Sequence, residues 1–176
     1  RKLIGDFEII SQLRQSFNRS KKQEIANPFL ERLCNSVIQA SKRIKNETDI
    51  SSGATSVAFA SVQYIINNIP DISEKNILLF GTGKIGRNTC ENLIKHTKNS
   101  HITLINRTKD KAERIAGKFN LVVKNYGDLQ TEIRNTDVLI VATGAQSPTI
   151  SKELIYTKKP LLILDLSIPK NVSDNV

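Results

Sequence analysis

Tryptophan and methionine are absent, only three tyrosines and six phenylalanines are present, and cysteine occurs twice in 176 residues. So few aromatics, none interleaved with Lys or Arg, withhold the stacking platform that a single-strand nucleic-acid binder uses. Cys34 and Cys90 are too sparse for a disulfide framework and lack paired metal-ligand spacing, which favours a reducing, cytoplasmic setting. His96 and His101 flank a helix-to-strand connection without a ligand-like spacing to Cys or carboxylates, so no metal is expected. Apolar runs such as Ile77 to Phe80 and Leu161 to Leu166 fall far short of the ~18 residues of a membrane span. The opening Arg1-Lys2-Leu3-Ile4-Gly5-Asp6 has neither a start methionine nor a basic leader running into an apolar stretch, and the expectation is a piece excised from a longer chain.

Acidic residues are also in deficit: 26 Lys and Arg face 17 Asp and Glu, giving a formal charge of +9 and a pI of about 9.7. That balance favours anionic partners, whether nucleic acid, a phosphorylated cofactor or an anionic surface, without choosing among them. A solvated basic face is the alternative. With 39% hydrophobic and 24% charged residues the chain carries enough apolar surface for one substantial core.

Ile10, Leu13 and Phe17 recur at helical spacing, and the polar, Lys-rich stretch from Asn18 to Asn27 is expected to break that first helix. Pro28 suits the first turn of a second helix, long and amphipathic, striped by Leu30, Leu33, Cys34, Val37, Ile38, Ser41 and Ile44. Asn46 to Gly53 is polar and reads as a linker, so a helical segment over 1–50 is expected to precede a domain over 51–176. Ser52, Thr55 and Ser56 offer capping hydroxyls to a third helix striped by Val57, Ser61, Ile65 and Ile69.

From Asn76 the period changes. Strand 77–80, helix 85–96, strand 102–105 and helix 109–119 alternate, and further strands are expected at 121–123, 138–142 and 161–165. The later strands are almost wholly apolar, as a parallel sheet buried on both faces requires. The fold class is therefore α/β, a doubly wound parallel sheet of Rossmann type preceded by helices.

Gly81-Thr82-Gly83-Lys84-Ile85-Gly86 follows a strand and opens a helix, the position of a dinucleotide-binding loop. Gly81 permits the tight turn, Gly83 lets backbone approach a pyrophosphate, and Gly86 lets helix and strand pack closely; the helix amino end adds N–H groups and partial positive charge. A glycine triad alone also fits a plain tight turn between strand and helix. After the second strand, where an NAD enzyme offers Asp or Glu to the adenosine ribose, stand Asn106-Arg107-Thr108. Arg107 can fork a 2′-phosphate, Asn106 and Thr108 are further donors, and Lys109 and Lys111 add positive potential, which indicates NADPH. The alternative is ordinary surface basicity on a strand-to-helix turn. Thr143 and Gly144, in the run Ala142-Thr143-Gly144-Ala145, fall at the carboxyl edge of the sheet beside the crevice for a nicotinamide, although a strand-ending turn would also call for Gly144.

Taken together, these segments resemble glutamyl-tRNA reductase. The likeness runs nearly end to end: Gly5-Asp6-Phe7-Glu8-Ile9 with Gln12, Ala40-Ser41-Lys42-Arg43-Ile44, Glu47-Thr48-Asp49-Ile50, Ser52-Gly53-Ala54-Thr55-Ser56-Val57, the glycine loop, Asn106-Arg107-Thr108, Thr143-Gly144-Ala145 and Asp165-Leu166-Ser167-Ile168-Pro169. The resemblance implies NADPH-dependent reduction of glutamyl-tRNA to glutamate-1-semialdehyde, which opens the five-carbon route to tetrapyrroles. It implies a homodimer formed through a carboxy-terminal domain that this chain does not contain. The family's nucleophilic cysteine lies in a Thr-Cys-Asn-Arg motif absent here, so no catalytic residue is expected in this chain, and Cys34 and Cys90 are expected to be packing residues.

The family's substrate-contacting Glu-Pro-Gln stretch and a following Gln fall on Asp6, Phe7, Glu8 and Gln12. Phe7 stands where the family has Pro and Glu8 where it has an amide, so only Gln12 carries over unchanged. Two other readings are open: a shikimate-type NADP dehydrogenase, whose cofactor domain also carries an Asn-Arg-Thr stretch, and a basic nucleotide- or nucleic-acid-binding module without catalysis.

Overall fold

A computed structural model describes residues 7–48 and 56–176, with the side chains of Phe7 and Glu8 outside that description. The chain divides into two compact units, Arg1–Ser56 and Val57–Val176.

In the first unit, α1 (Phe7–Lys22) and α2 (Pro28–Glu47) pack on each other. The polar stretch from Asn18 does not end α1, which runs on to Lys22. Polarity is not a helix breaker: Arg and Lys are good helix formers, and Arg19, Lys21 and Lys22 oppose the negative carboxyl end of the helix dipole. The break falls at Glu24, whose φ of 56° is left-handed. Asn27 then caps α2, its Oδ1 accepting from the Leu30 N–H at 2.9 Å with Pro28 in the first turn. Lys21 and Glu31 form an ion pair between the two helices.

In the second unit, α3 (Val57–Asn68) precedes β1 (Ile77–Phe80), α4 (Lys84–Thr97), β2 (Ile102–Ile105), α5 (Lys109–Phe119), β3 (Val122–Lys124), α6 (Leu129–Asn135), β4 (Val138–Val141) and β5 (Leu162–Asp165). The five strands form one parallel sheet in the order β3-β2-β1-β4-β5. Strand alternation sends Ile77 and Leu79 to one face, where they meet Val62 and Ile65 of α3, Leu93 of α4 and Ile115 of α5. Leu78 and Phe80 point to the other face, against Leu129 and Ile133 of α6 and Ile150. Both faces are thus covered, which is why β1 and β4 are unbroken Ile/Leu/Val/Phe runs and are buried throughout.

At the amino ends of the strands, Asp137 accepts from the Asn76 N–H at 2.8 Å and from Lys159 Nζ at 2.7 Å. Partial burial works against its charge, but these donors and the nearby Lys75 hold the carboxyl below its ordinary value. The opposite, carboxyl edge is left to the site. Among the described residues no helix is long and apolar enough to cross a membrane.

Candidate functional site

The strand order reverses direction between β1 and β4, and the crevice outside the carboxyl ends of such strands is where an open α/β sheet accepts its ligand. A cleft of about 1040 Å³ lies there, walled by the loop after β1, the β2–α5 turn and the segment after β4.

The floor is the glycine loop. Gly81 has φ +102°, and a Cβ there would stand 2.4 Å from the Ala142 carbonyl oxygen, so only glycine fits. A Cβ on Gly86 would stand 2.0 Å from the Gly81 carbonyl oxygen; its lack of a side chain lets α4 close on the turn. Gly83 differs from both. It is the N-cap of α4 with no side-chain capping bond, and nothing lies within 4 Å of a Cβ placed on it, so the helix amino end opens onto free space. Thr82 sits in this floor with its Oγ1 buried and lacking any hydrogen-bond partner among the described residues. An orphaned buried hydroxyl is costly unless a ligand answers it.

The β2 wall is cationic. Arg107, Lys111 and Arg114, together with Arg87 from the first turn of α4, line the cleft, and the side chain of none of the four has an ion pair or hydrogen bond among the described residues. Asp and Glu are missing from the lining of the cleft. Thr108 is the N-cap of α5 and makes no side-chain cap bond, so its hydroxyl also faces outward uncommitted. Asn106 behaves otherwise: its Oδ1 accepts from the Thr82 N–H at 3.3 Å and its Nδ2 donates to the Thr108 carbonyl at 2.8 Å. Expected as a ligand donor, it braces the glycine loop against the end of β2.

The β4 wall is neutral: Thr143, Gly144, Ala145, Gln146, Ser147 and Thr149. Here the backbone N–H of Thr143 donates to Ser167 Oγ at 3.1 Å and its hydroxyl to Asn171 Oδ1 at 2.5 Å.

Of the residues expected from sequence, Gly81, Thr82, Gly83, Lys84, Asn106, Arg107, Thr108, Thr143 and Gly144 line one cleft. Ile85 and Gly86 do not. Successive helix residues are 100° apart, so with Lys84 and Arg87 turned to the cleft Ile85 falls outside it, and Gly86 is buried against the turn. Lys109 also lies off the wall, 3.7 Å from Glu113. Arg87, Arg114 and Tyr126 line the cleft beyond the residues expected from sequence. Lys111 and Arg114 stand i, i+3 on α5, the one signal that could expose Arg114; Tyr126, its ring centroid 5.9 Å from that of Phe80, follows β3 without a sequence cue. Gln12 is exposed on α1, whereas Asp6 and the side chains of Phe7 and Glu8 lie outside the described residues. Cys90 is buried in the core, where burial and the neighbouring Glu91 charge push its thiol up to about 12; Cys34 is half-buried on α2. Neither lines the cleft.

The arrangement suits an anionic, two-phosphate ligand: open backbone at a helix amino end, an orphaned hydroxyl, and one flanking wall of uncompensated cations.

Residues 63–176 match the family described as shikimate / quinate 5-dehydrogenase, and residues 2–48 match the glutamyl-tRNA(Glu) reductase N-terminal domain. A glutamyl-tRNA reductase of Christiangramia forsetii is 80% identical over 174 residues, and one of Flavobacterium psychrophilum is 71% identical over the same length; each alignment covers 99% of this chain and 42% of the relative. The chain therefore spans under half the length of these curated relatives. Among solved structures, glutamyl-tRNA reductase from Methanopyrus kandleri aligns with 97% of this chain and 44% of its own, with a TM-score of 0.62 and 24% identity, a likeness of fold.

Proposed function

Because the chain belongs to the glutamyl-tRNA reductase family, we propose that its second unit is the NADPH-binding part of an enzyme that reduces glutamyl-tRNA to glutamate-1-semialdehyde. The observation that carries the cofactor is Arg107: an exposed guanidinium at the end of β2, without an internal partner among the described residues, in a cleft whose lining holds no carboxylate. An acidic residue there would accept from a ribose 2′-hydroxyl and repel a 2′-phosphate; a guanidinium does the reverse.

In this reading the amino end of α4 at Gly83 would hold the pyrophosphate, and Thr82 Oγ1 would find there the acceptor it lacks. Arg107 grips the 2′-phosphate, with Thr108 beside it and Asn106 keeping the two anion-binding stretches in register. Thr143 and Gly144 would border the nicotinamide. Bound NADPH supplies the hydride. This chain's residues bind and orient the coenzyme; the acyl-accepting cysteine belongs to a part of the whole protein outside this sequence. Asp6, Phe7, Glu8 and Gln12 are proposed to contact substrate from the first unit.

The same reading carries a homodimer, a cytoplasmic setting and the first step of porphyrin synthesis for the whole protein. A shikimate-type dehydrogenase shares the family match over 63–176 but leaves the match over 2–48 unexplained.

Titration of the chain with NADPH and NADH tests the cofactor. Tighter binding of NADPH is expected, and Arg107→Ala is expected to lower NADPH affinity by about tenfold to a hundredfold, the worth of a charged hydrogen bond, with NADH little changed. Equal affinities in the unmodified chain would remove the assignment. For the whole protein, NADPH oxidation that requires charged tRNA and ignores shikimate is the matching result.

A further inference from the structure

Asn171 lies beyond the last strand and outside every motif considered above, yet it is fully buried and its side chain is fully engaged. Its Nδ2 donates to the carbonyls of Ala145 and Pro169, both at 3.0 Å. Its Oδ1 accepts from the hydroxyls of Thr143, at 2.5 Å, and Thr149, at 3.1 Å. Its backbone carbonyl accepts from the N–H groups of Thr149 and Ile150 at 2.8 and 2.9 Å. Three of these partners, Thr143, Ala145 and Thr149, line the cleft on the β4 side.

Asn171 is itself held from behind. Asp165, at the end of β5, accepts from the N–H groups of Asn171 at 2.6 Å and Val172 at 2.8 Å through Oδ2, and from Ser167 N–H at 3.0 Å through Oδ1. Ser167 Oγ in turn accepts from the Thr143 N–H. Two routes therefore run from one carboxylate to the β4 wall, one through Asn171 and one through Ser167. An amide is the side chain that can donate twice and accept twice at such a point. With Asn171 fully buried and most of its partners half-buried, a network in which every member is satisfied holds its parts in one arrangement.

We infer that Asn171, anchored by Asp165, is a positioning residue that fixes the nicotinamide-side wall of the cleft. It touches no ligand, and it sets where Thr143 to Thr149 stand. The inference rests on the reading of the cleft as an NADPH site, in which the adenosine half lies on the β2 side, remote from this network.

That division supplies the test. The chain, Asn171→Ala and Asp165→Asn are titrated with NADPH and with adenosine 2′,5′-bisphosphate, which has the 2′-phosphate but no nicotinamide. Asn171→Ala is expected to weaken NADPH about tenfold while leaving the bisphosphate within about twofold. Asp165→Asn, which keeps the shape and loses one acceptor, is expected to weaken NADPH about threefold with the bisphosphate again unmoved, and it decides the matter should Asn171→Ala fail to fold. A role in general stability would lower both ligands together; that result, or no change in either, overturns the inference. Failure of the unmodified chain to bind either ligand overturns the cofactor reading itself.

Discussion

On the β2 wall of the cleft, Arg107, Lys111 and Arg114 stand exposed or half-exposed without internal partners among the described residues. On the β4 wall, Thr143 and Thr149 are tied through a fully buried Asn171 to the Asp165 carboxylate. The contrast follows from what each wall has to recognise in the proposed reading. A phosphate is a concentrated charge, and cations attract it over several ångströms, so long flexible side chains serve and their fixed placement matters little. A nicotinamide ring is neutral or singly charged and must be presented at one distance and angle, which asks for a wall that does not move. Selectivity therefore resides in charge on one side and position in hydrogen bonding on the other.

The glycine loop joins the two walls, and the largest effect is expected where it is broken. Gly86→Ala drives a Cβ to 2.0 Å from the Gly81 carbonyl oxygen, backbone that cannot yield without displacing the turn from both walls. Loss of about 3 kcal/mol is expected, a fall of about 10 °C in the thermal midpoint, with dinucleotide binding abolished. Gly83→Ala is the counterpart: its Cβ meets nothing within 4 Å and its φ of −67° is ordinary, so the fold should be unaffected while the methyl group enters the space proposed for the pyrophosphate. Melting curves and NADPH titrations on both variants check this; equal behaviour of the two would show that the loop does not separate a packing glycine from a ligand glycine.

The floor, Arg107 and Lys111 of the β2 wall, and Thr143 and Gly144 of the β4 wall are legible in sequence, whereas Arg114 and the hydrogen bonds behind the β4 wall are hidden. Gly81, Gly83, Gly86 and Arg107 fall in local motifs whose chemistry is set by neighbours one to five residues away. β1 and β4 are equally plain, because they are buried on both faces and wholly apolar, whereas the edge strand β3 is largely exposed, ends in Lys124 and lies one residue later than expected. Asn171 has partners 22 to 28 residues back along the chain, at Thr149, Ala145 and Thr143, and no local pattern announces a bond that only the sheet brings together. The carboxyl end of α1 departs from expectation for a different reason: a run of Lys, Arg and Ser looks like a loop by polarity, whereas backbone propensity and the helix dipole let α1 continue to Lys22.

Thr82 offers a test in which stability and binding move in opposite directions. Its Oγ1 is buried and unpartnered without ligand, so Thr82→Val replaces an unsatisfied hydroxyl by a methyl group of similar shape. The ligand-free chain is expected to gain about 1 kcal/mol, or 2 to 4 °C in thermal midpoint, while NADPH affinity falls about threefold to tenfold. Thermal midpoints with and without NADPH give both numbers from one variant. A variant less stable than the parent chain in the absence of ligand would mean that the hydroxyl already has a partner, and the floor would lose its clearest mark of a missing acceptor.

The smallest effects, and the sharpest separation of the two walls, are expected from Lys111→Ala and Arg114→Ala. Both cations line the cleft behind Arg107, and both are solvated enough that each contributes about 0.5 to 1 kcal/mol, a twofold to fivefold loss of NADPH affinity at low salt. Screening then distinguishes charge from position. At about 1 M salt the screening length is roughly 3 Å, and the deficit of both variants should vanish. The deficit of Asn171→Ala should persist, because its hydrogen bonds act at contact distance from a fully buried side chain, well inside the screening length. Titrations of all three variants across a salt series decide it: parallel slopes would mean that both walls act through charge, whereas a salt-dependent pair beside a salt-independent third establishes that one side of the cleft attracts and the other holds still.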